Sequence, residues 1–223
     1  MQLPILIDNE ASSLTERVFH TLKGGILSLE IKPREYLVIG DIAREYGVSR
    51  TPVREALIML EREGWLEHDG RRGARVTVPS AKMILEVIEV QAALEGYLAR
   101  RVAALLTSED IQQLEAILAK ADATITTGEE SKGQILGQQF HDYLADKVGN
   151  RKLKAEIDQL QEHIDRVRPM IWHHAIVPIK NSAAQHWDIL NALKAGNAFR
   201  AEELMVYHTM WYEKELAAVL QSL

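Results

Sequence analysis

The chain has 223 residues, no cysteine and a formal charge of −6, with 47% hydrophobic and 26% charged residues. The missing cysteines exclude disulfides and thiolate metal sites, and the acidic balance excludes indiscriminate attraction to nucleic acid. The start, MQLPILIDNE, has no basic flank for a secretory signal, and no stretch nears the roughly 20 apolar residues of a membrane span, so a cytoplasmic protein is expected.

Residues 1–11 show no periodicity and read as a loose arm. Ser12 or Ser13 then caps a helix reaching about Leu29, with Leu14, Val18, Leu22, Ile26 and Leu27 on one face. Pro33 breaks it, and Tyr36 to Val38 is a short extended piece. From Asp41 to Glu63 the pattern is a short helix, a tight turn at Gly47-Val48, and a second helix after Ser49. Ile42, Ala43, Val48, Val53, Leu57 and Leu60 stand where two crossed helices must touch. Trp65 to His68 and Ala74 to Val78 read as strands around a turn at Asp69 to Gly73. Three helices followed by a basic-tipped hairpin make a winged helix-turn-helix over residues 1–78.

Residues 79–83 read as a linker, and 84–223 as an antiparallel helical bundle, so the chain is mainly α. The predicted helices run from Met83 to Leu106, from a Thr107 cap to Thr126, and from Lys132 to Lys147 with a stop at Gly149-Asn150. A fourth, from Arg151 toward His174, is kinked or shortened at Pro169. A fifth runs from a Ser182 cap to Lys194, and a last one from Ala198 to Leu220.

A helix-turn-helix sets the N-terminus of its second helix in the DNA major groove. Ser49 is placed to cap that helix; Arg50, Thr51 and Arg54 occupy its first turn, and Arg50 and Arg54 share one face. Arginine can grip guanine bidentately or clamp a phosphate. Arg71, Arg72 and Arg75 at the wing tip add contacts to the backbone or minor groove, and Gly70 and Gly73 let the wing come close. Residues 1–80 nevertheless carry 11 Lys/Arg against 12 Asp/Glu, so affinity must come from local placement and from two copies acting together.

In the second half, His186 lies ten residues before Gly196 and His208 twelve after it. At the helical rise these are about 15 and 18 Å from the bend, so an antiparallel helix pair sets the two imidazoles at nearly one height. With His141 from a third helix they could hold a divalent transition metal such as Zn or Ni, or simply fill polar gaps in the bundle.

The pieces Leu37-Val38, Ile42-Ala43, the run GVSRTPVREAL from Gly47 to Leu57, and Arg72-Gly73-Ala74 resemble the N-terminal domain of GntR-superfamily transcription regulators. Leu94-Glu95, Phe140-His141 with Gly149-Asn150, Gln185-His186 and His208 resemble the all-helical FCD-type ligand-binding domain of the FadR-like branch. The resemblance implies a homodimer that binds a palindromic double-stranded DNA operator, most often as a repressor, and responds to a small metabolite. It also implies a metal on His141, His186 and His208, joined in metal-binding members by an aspartate where this chain has Gly137. Two further positions depart from the pattern: Gly40 replaces a common arginine of the first motif helix, and Gln91 replaces an arginine that meets carboxylate ligands. Gln91 itself and Arg166, with Arg168, are then the candidates for effector contact. A metal-dependent enzyme or a metal sensor built on the same histidines are the competing readings.

Overall fold

The computed structural model describes residues 3–8, 11–70, 73–172 and 179–220. The chain divides into two compact units, Met1–Ser80 and Ala81–Leu223.

In the first unit, α1 (Leu14–Leu27) opens with a reciprocal capping box. The Ser13 hydroxyl accepts from the Glu16 amide at 3.2 Å, and the Glu16 carboxylate accepts from the Ser13 amide at 2.8 Å. Its buried face, Val18, Phe19, Leu22 and Ile26, meets α3 (Arg50–Arg62), which follows α2 (Ile39–Glu45) across the Gly47 turn. Trp65 is fully buried in the same core, its indole N–H donating to Glu63 at 3.0 Å. Truncating so large a core side chain costs about 3–5 kcal/mol.

The hairpin forms as β2 (Leu66–His68) and β3 (Ala74–Val76), but the sheet has a third strand. The short extended piece, β1 (Tyr36–Leu37), pairs antiparallel with β3 and puts that strand in the middle. Residues 3–8 also differ from the expected loose arm. The Ile7 carbonyl accepts from Arg17, its amide donates to Thr21 Oγ1 at 2.9 Å, and the Tyr46 hydroxyl donates to the Pro4 carbonyl at 3.0 Å. Leu3 and Leu6 pack on the core, which gives a segment without regular periodicity its own apolar anchor.

The second unit is helical throughout its described residues: α4 (Ala81–Val102), α5 (Ser108–Thr126), α6 (Glu130–Val148), α7 (Arg151–Trp172), α8 (Ile179–Lys194) and α9 (Ala198–Leu220). Ala81 already opens α4, so the stretch read as linker is helical from its third residue, and α4 stops at Val102 in a tight turn rather than at Leu106. α7 continues past Pro169 to Trp172, while residues 173–178, including His173 and His174, lie outside the described residues. Ser182 sits inside α8 and not at its cap. Phe140, Leu114, Leu118, Leu144, Ile189, Leu190 and Met205 form the main core. Gly96 brings α4 hard against α9, since a methyl group there would meet Val206 at 2.5 Å. That close approach sets the neighbouring Glu95 beside Thr209 of α9.

Candidate nucleic-acid interface and metal centre

Burial of Val53, Ala56, Leu57 and Leu60 fixes the roll of α3 and turns Arg50, Thr51 and Arg54 outward. Ser49 holds the N-cap position in extended geometry, but its side chain makes no bond to the helix amides. The exposed start of α3 therefore offers free N–H groups, a serine hydroxyl and two guanidinium groups. Among the described residues neither Arg50 nor Arg54 is paired with a carboxylate. Gly40 faces the same place: a Cβ there would stand 3.8 Å from the Arg50 guanidinium.

The wing is divided in its roles. Arg71 and Arg72 lie outside the described residues. Gly73 has φ +105°, and a Cβ there would press to 2.7 Å from the Leu37 carbonyl oxygen. A glycine is therefore required by the contact with β1, independently of any approach to DNA. Arg75 pairs across the ladder with Glu67, Nε to Oε1 at 2.8 Å, and that hydrogen bond raises its pKa. Its charge is partly spent within the sheet.

In the second unit, α6, α8 and α9 bring His141, His186 and His208 together, as the register about Gly196 predicts. His186 Nε2 lies 3.1 Å from Nε2 of His141 and 3.1 Å from Nε2 of His208. The outer nitrogens are held from behind. His208 Nδ1 donates to the Gln185 side-chain oxygen Oε1 at 2.8 Å, and His141 Nδ1 faces Glu95 at 3.5 Å. The bond to Gln185 puts the His208 ring proton on Nδ1, so its bare Nε2 lone pair points inward. Burial, followed by the neighbouring imidazoles, lowers the pKa of His186 well below its ordinary value; burial, then His141, brings His208 down to about 3. Gly137 belongs to this cluster too, since a Cβ there would come within 3.1 Å of the His186 ring.

A cavity of about 130 Å³ opens beside the imidazoles. Gln91, Glu95, Gln161 and Thr209 line one side of it. Glu95 is buried; it accepts from Thr209 at 2.8 Å and from Gln91 at 3.2 Å. Gln91 also donates to Gln161 at 2.9 Å, leaving its own buried carbonyl oxygen without a hydrogen-bond partner. Arg166 is buried but does not line this cavity, and loss of water brings its pKa down to about 10. Nothing is described of the Arg168 side chain. Glu95 and Thr209 were given no role by sequence reasoning; Leu94-Glu95 marked only the resemblance, and a lone threonine on a helix carries no local signal.

Residues 14–76 match the family described as bacterial regulatory proteins, gntR family, and residues 86–210 match the FCD domain. The chain is 30% identical over 193 residues to the uncharacterized HTH-type transcriptional regulator YdhC of Bacillus subtilis, covering 85% of each. It is 26% identical to the HTH-type transcriptional repressor RspR of Escherichia coli, over 96% of this chain and 93% of that one. Among solved structures, McbR/YncC of E. coli shares the fold with a TM-score of 0.71 at 21% identity, covering 95% of this chain and 98% of that chain.

Proposed function

Because this chain belongs to the GntR family of bacterial regulatory proteins, with an FCD domain after its winged helix, we propose that it is a metabolite-responsive repressor acting as a homodimer in the cytoplasm. It is a transcriptional regulator, as its named relatives are, so the reading of the three histidines as a catalytic centre is set aside.

The N-terminal unit reads one half of a palindromic operator. Ser49, the first amides of α3, Arg50 and Arg54 meet the major groove, with Thr51 beside them, and Arg72, Gly73 and Arg75 carry the wing along the backbone. The observation behind this reading is the exposed, uncompensated pair Arg50 and Arg54 at an open helix start. Two such units in one dimer offset the lack of net positive charge.

The C-terminal unit binds the effector, and its three histidines hold a divalent ion such as Zn or Ni. The nitrogen spacing of 3.1 Å fits: metal–nitrogen bonds of about 2.0–2.1 Å at tetrahedral or octahedral angles separate neighbouring donors by about 2.9–3.4 Å. Such an ion would supply a Lewis-acidic position beside the cavity. Gln185 and Glu95 orient the two outer imidazoles, and Gly137 leaves the aspartate side open to water or ligand. An effector that prefers one spacing of the two readers shifts operator affinity by its differential binding.

The test is fluorescence anisotropy of the full-length protein on the DNA flanking its own gene, with and without chelator. Specific, salt-sensitive binding supports the regulator reading; no preference over random DNA sinks it. Loss of binding on chelation would make the ion itself the signal.

A further inference from the structure

Among the described residues, six large hydrophobic side chains of the second unit are exposed, and four of them share one face. They are Val90 and Tyr97 of α4, 51% and 45% exposed, and Phe199 and Tyr207 of α9, 69% and 56% exposed. α4 and α9 run antiparallel, with Gly96 against Val206 and Arg100 paired to Glu202 at 3.4 Å. Burial of Ile88 and Ala92 on α4, and of Ala201 and Met205 on α9, fixes which sides face the core. At 3.6 residues per turn, Glu86, Val90, Ala93, Tyr97 and Arg101 then form one exposed stripe, with Phe199 and Tyr207 on a second beside it. The Arg100 guanidinium joins the two helices, lying 4.4 Å over the Phe199 ring. Apolar side chains grouped on one face in this way mark an interaction surface.

The order of residues along α4 selects the occupant. The stripe is centred between Ala93 and Leu94: Val90 and Tyr97 stand three and a half residues to either side, and Glu86 and Arg101 seven and a half. Along the helix these offsets are about 5 and 11 Å. A second α4 laid antiparallel across the small Ala93 therefore sets each Val90 on the opposite Tyr97 and each Glu86 on the opposite Arg101. A parallel copy would set like charge on like. Arg101 is braced by the hydroxyl of its own Tyr97 at 3.1 Å and, among the described residues, has no carboxylate partner. Glu86 meets only the exposed Lys82, at 3.7 Å. The stripe is thus complementary to itself under a two-fold axis, as an isologous contact requires.

We propose that α4 is the dimerisation helix: two copies of this chain join through antiparallel α4 helices crossing at Ala93, flanked by Phe199 and Tyr207 of α9. The inference rests on the homodimer named above and adds to it the face, the direction and the register.

The chain has no cysteine, so one introduced thiol reports on its own symmetry mate. In the full-length protein, a short bismaleimide should link Ala93→Cys into a covalent dimer, and should leave Ala119→Cys, exposed on α5, as single chains. In fluorescence-detected sedimentation, Tyr97→Asp should raise the dimer dissociation constant at least tenfold. Glu86→Arg, which brings like charges together twice per dimer, should raise it at least threefold, and adding Arg101→Glu should restore it to within twofold of wild type. If Tyr97→Asp fails to fold, the thiol and the charge exchange still decide. A dimeric wild type with no cross-link at Ala93→Cys, or with no rescue by the second charge, overturns the α4 face and leaves the homodimer standing. A wild type that stays monomeric removes the homodimer itself and gives this face to another protein.

Discussion

His208 Nδ1 donates to the Gln185 side-chain oxygen Oε1 at 2.8 Å, which leaves Nε2 of the same ring bare and aimed at Nε2 of His186, 3.1 Å away. An oxygen acceptor behind the ring thereby selects the tautomer that a metal needs. Gln185→Leu should keep the fold and weaken metal affinity by about 10–100-fold. Competition against a chromophoric chelator measures it, and an unchanged affinity would remove Gln185 from the site.

The ligands themselves have a harsher requirement. His186→Ala with His208→Ala should abolish bound metal in elemental analysis of purified protein. A wild-type sample at 100 times the dissociation constant should gain about 2.7 kcal/mol of stability from the ion. Undiminished metal in the double variant contradicts the three-histidine site.

Low pH should strain the metal-free protein. Burial lowers the pKa of His186, and holds His208 near 3, below the 6.5 expected for the unfolded chain. Such a group leaves stability intact above about pH 6.5 and removes it as pH falls, because the unfolded chain takes the proton first. The Tm of the metal-free protein should therefore be level from pH 8 to 7 and drop between pH 6.5 and 5. That window lies above the titration of Asp110, whose pKa is held low by Lys147, then Thr107 and Tyr143. His186→Gln with His208→Gln should flatten the drop; a wild-type Tm unchanged from pH 7 to 5 would count against neutral, buried imidazoles.

On the DNA side, Arg50→Ala and Arg54→Ala should each weaken specific binding by about 1–3 kcal/mol at fixed salt. Arg75→Ala should cost less, because Glu67 already shares its charge. An Arg75 loss as large as that of Arg50 would show the Glu67 pair to be broken on DNA.

Gly73→Ala tests the wing without touching charge. Both the φ of +105° and the 2.7 Å approach to Leu37 oppose a side chain, so the substitution should destabilise the N-terminal unit by more than about 1 kcal/mol in denaturant titration. Wild-type stability would mean that β1 can yield.

The sequence by itself determined what depends on neighbours three or four residues apart. The caps at Ser13 and Thr107, the Gly149 stop and the apolar stripe of α3 are local patterns, and each forms, the two caps as reciprocal boxes with Glu16 and Asp110. Even the common height of His186 and His208 followed from helical rise about one turn. Where the pattern was not periodic, the reading failed: residues 3–8 are held by scattered contacts to Arg17, Thr21 and Tyr46, and β1 reaches its partner β3 across the whole helix-turn-helix. Only the tertiary structure decided that Arg75 is engaged by Glu67, that Glu95 stands between His141 and Thr209, and that the Gln91 side-chain oxygen is buried without a partner. Those relations join residues up to 114 positions apart, and they exist because glycines such as Gly96 let helices close to contact. Hydrogen bonds act over about 3 Å, so a shift of one ångström between packed helices makes or removes them while every helix keeps its sequence signature.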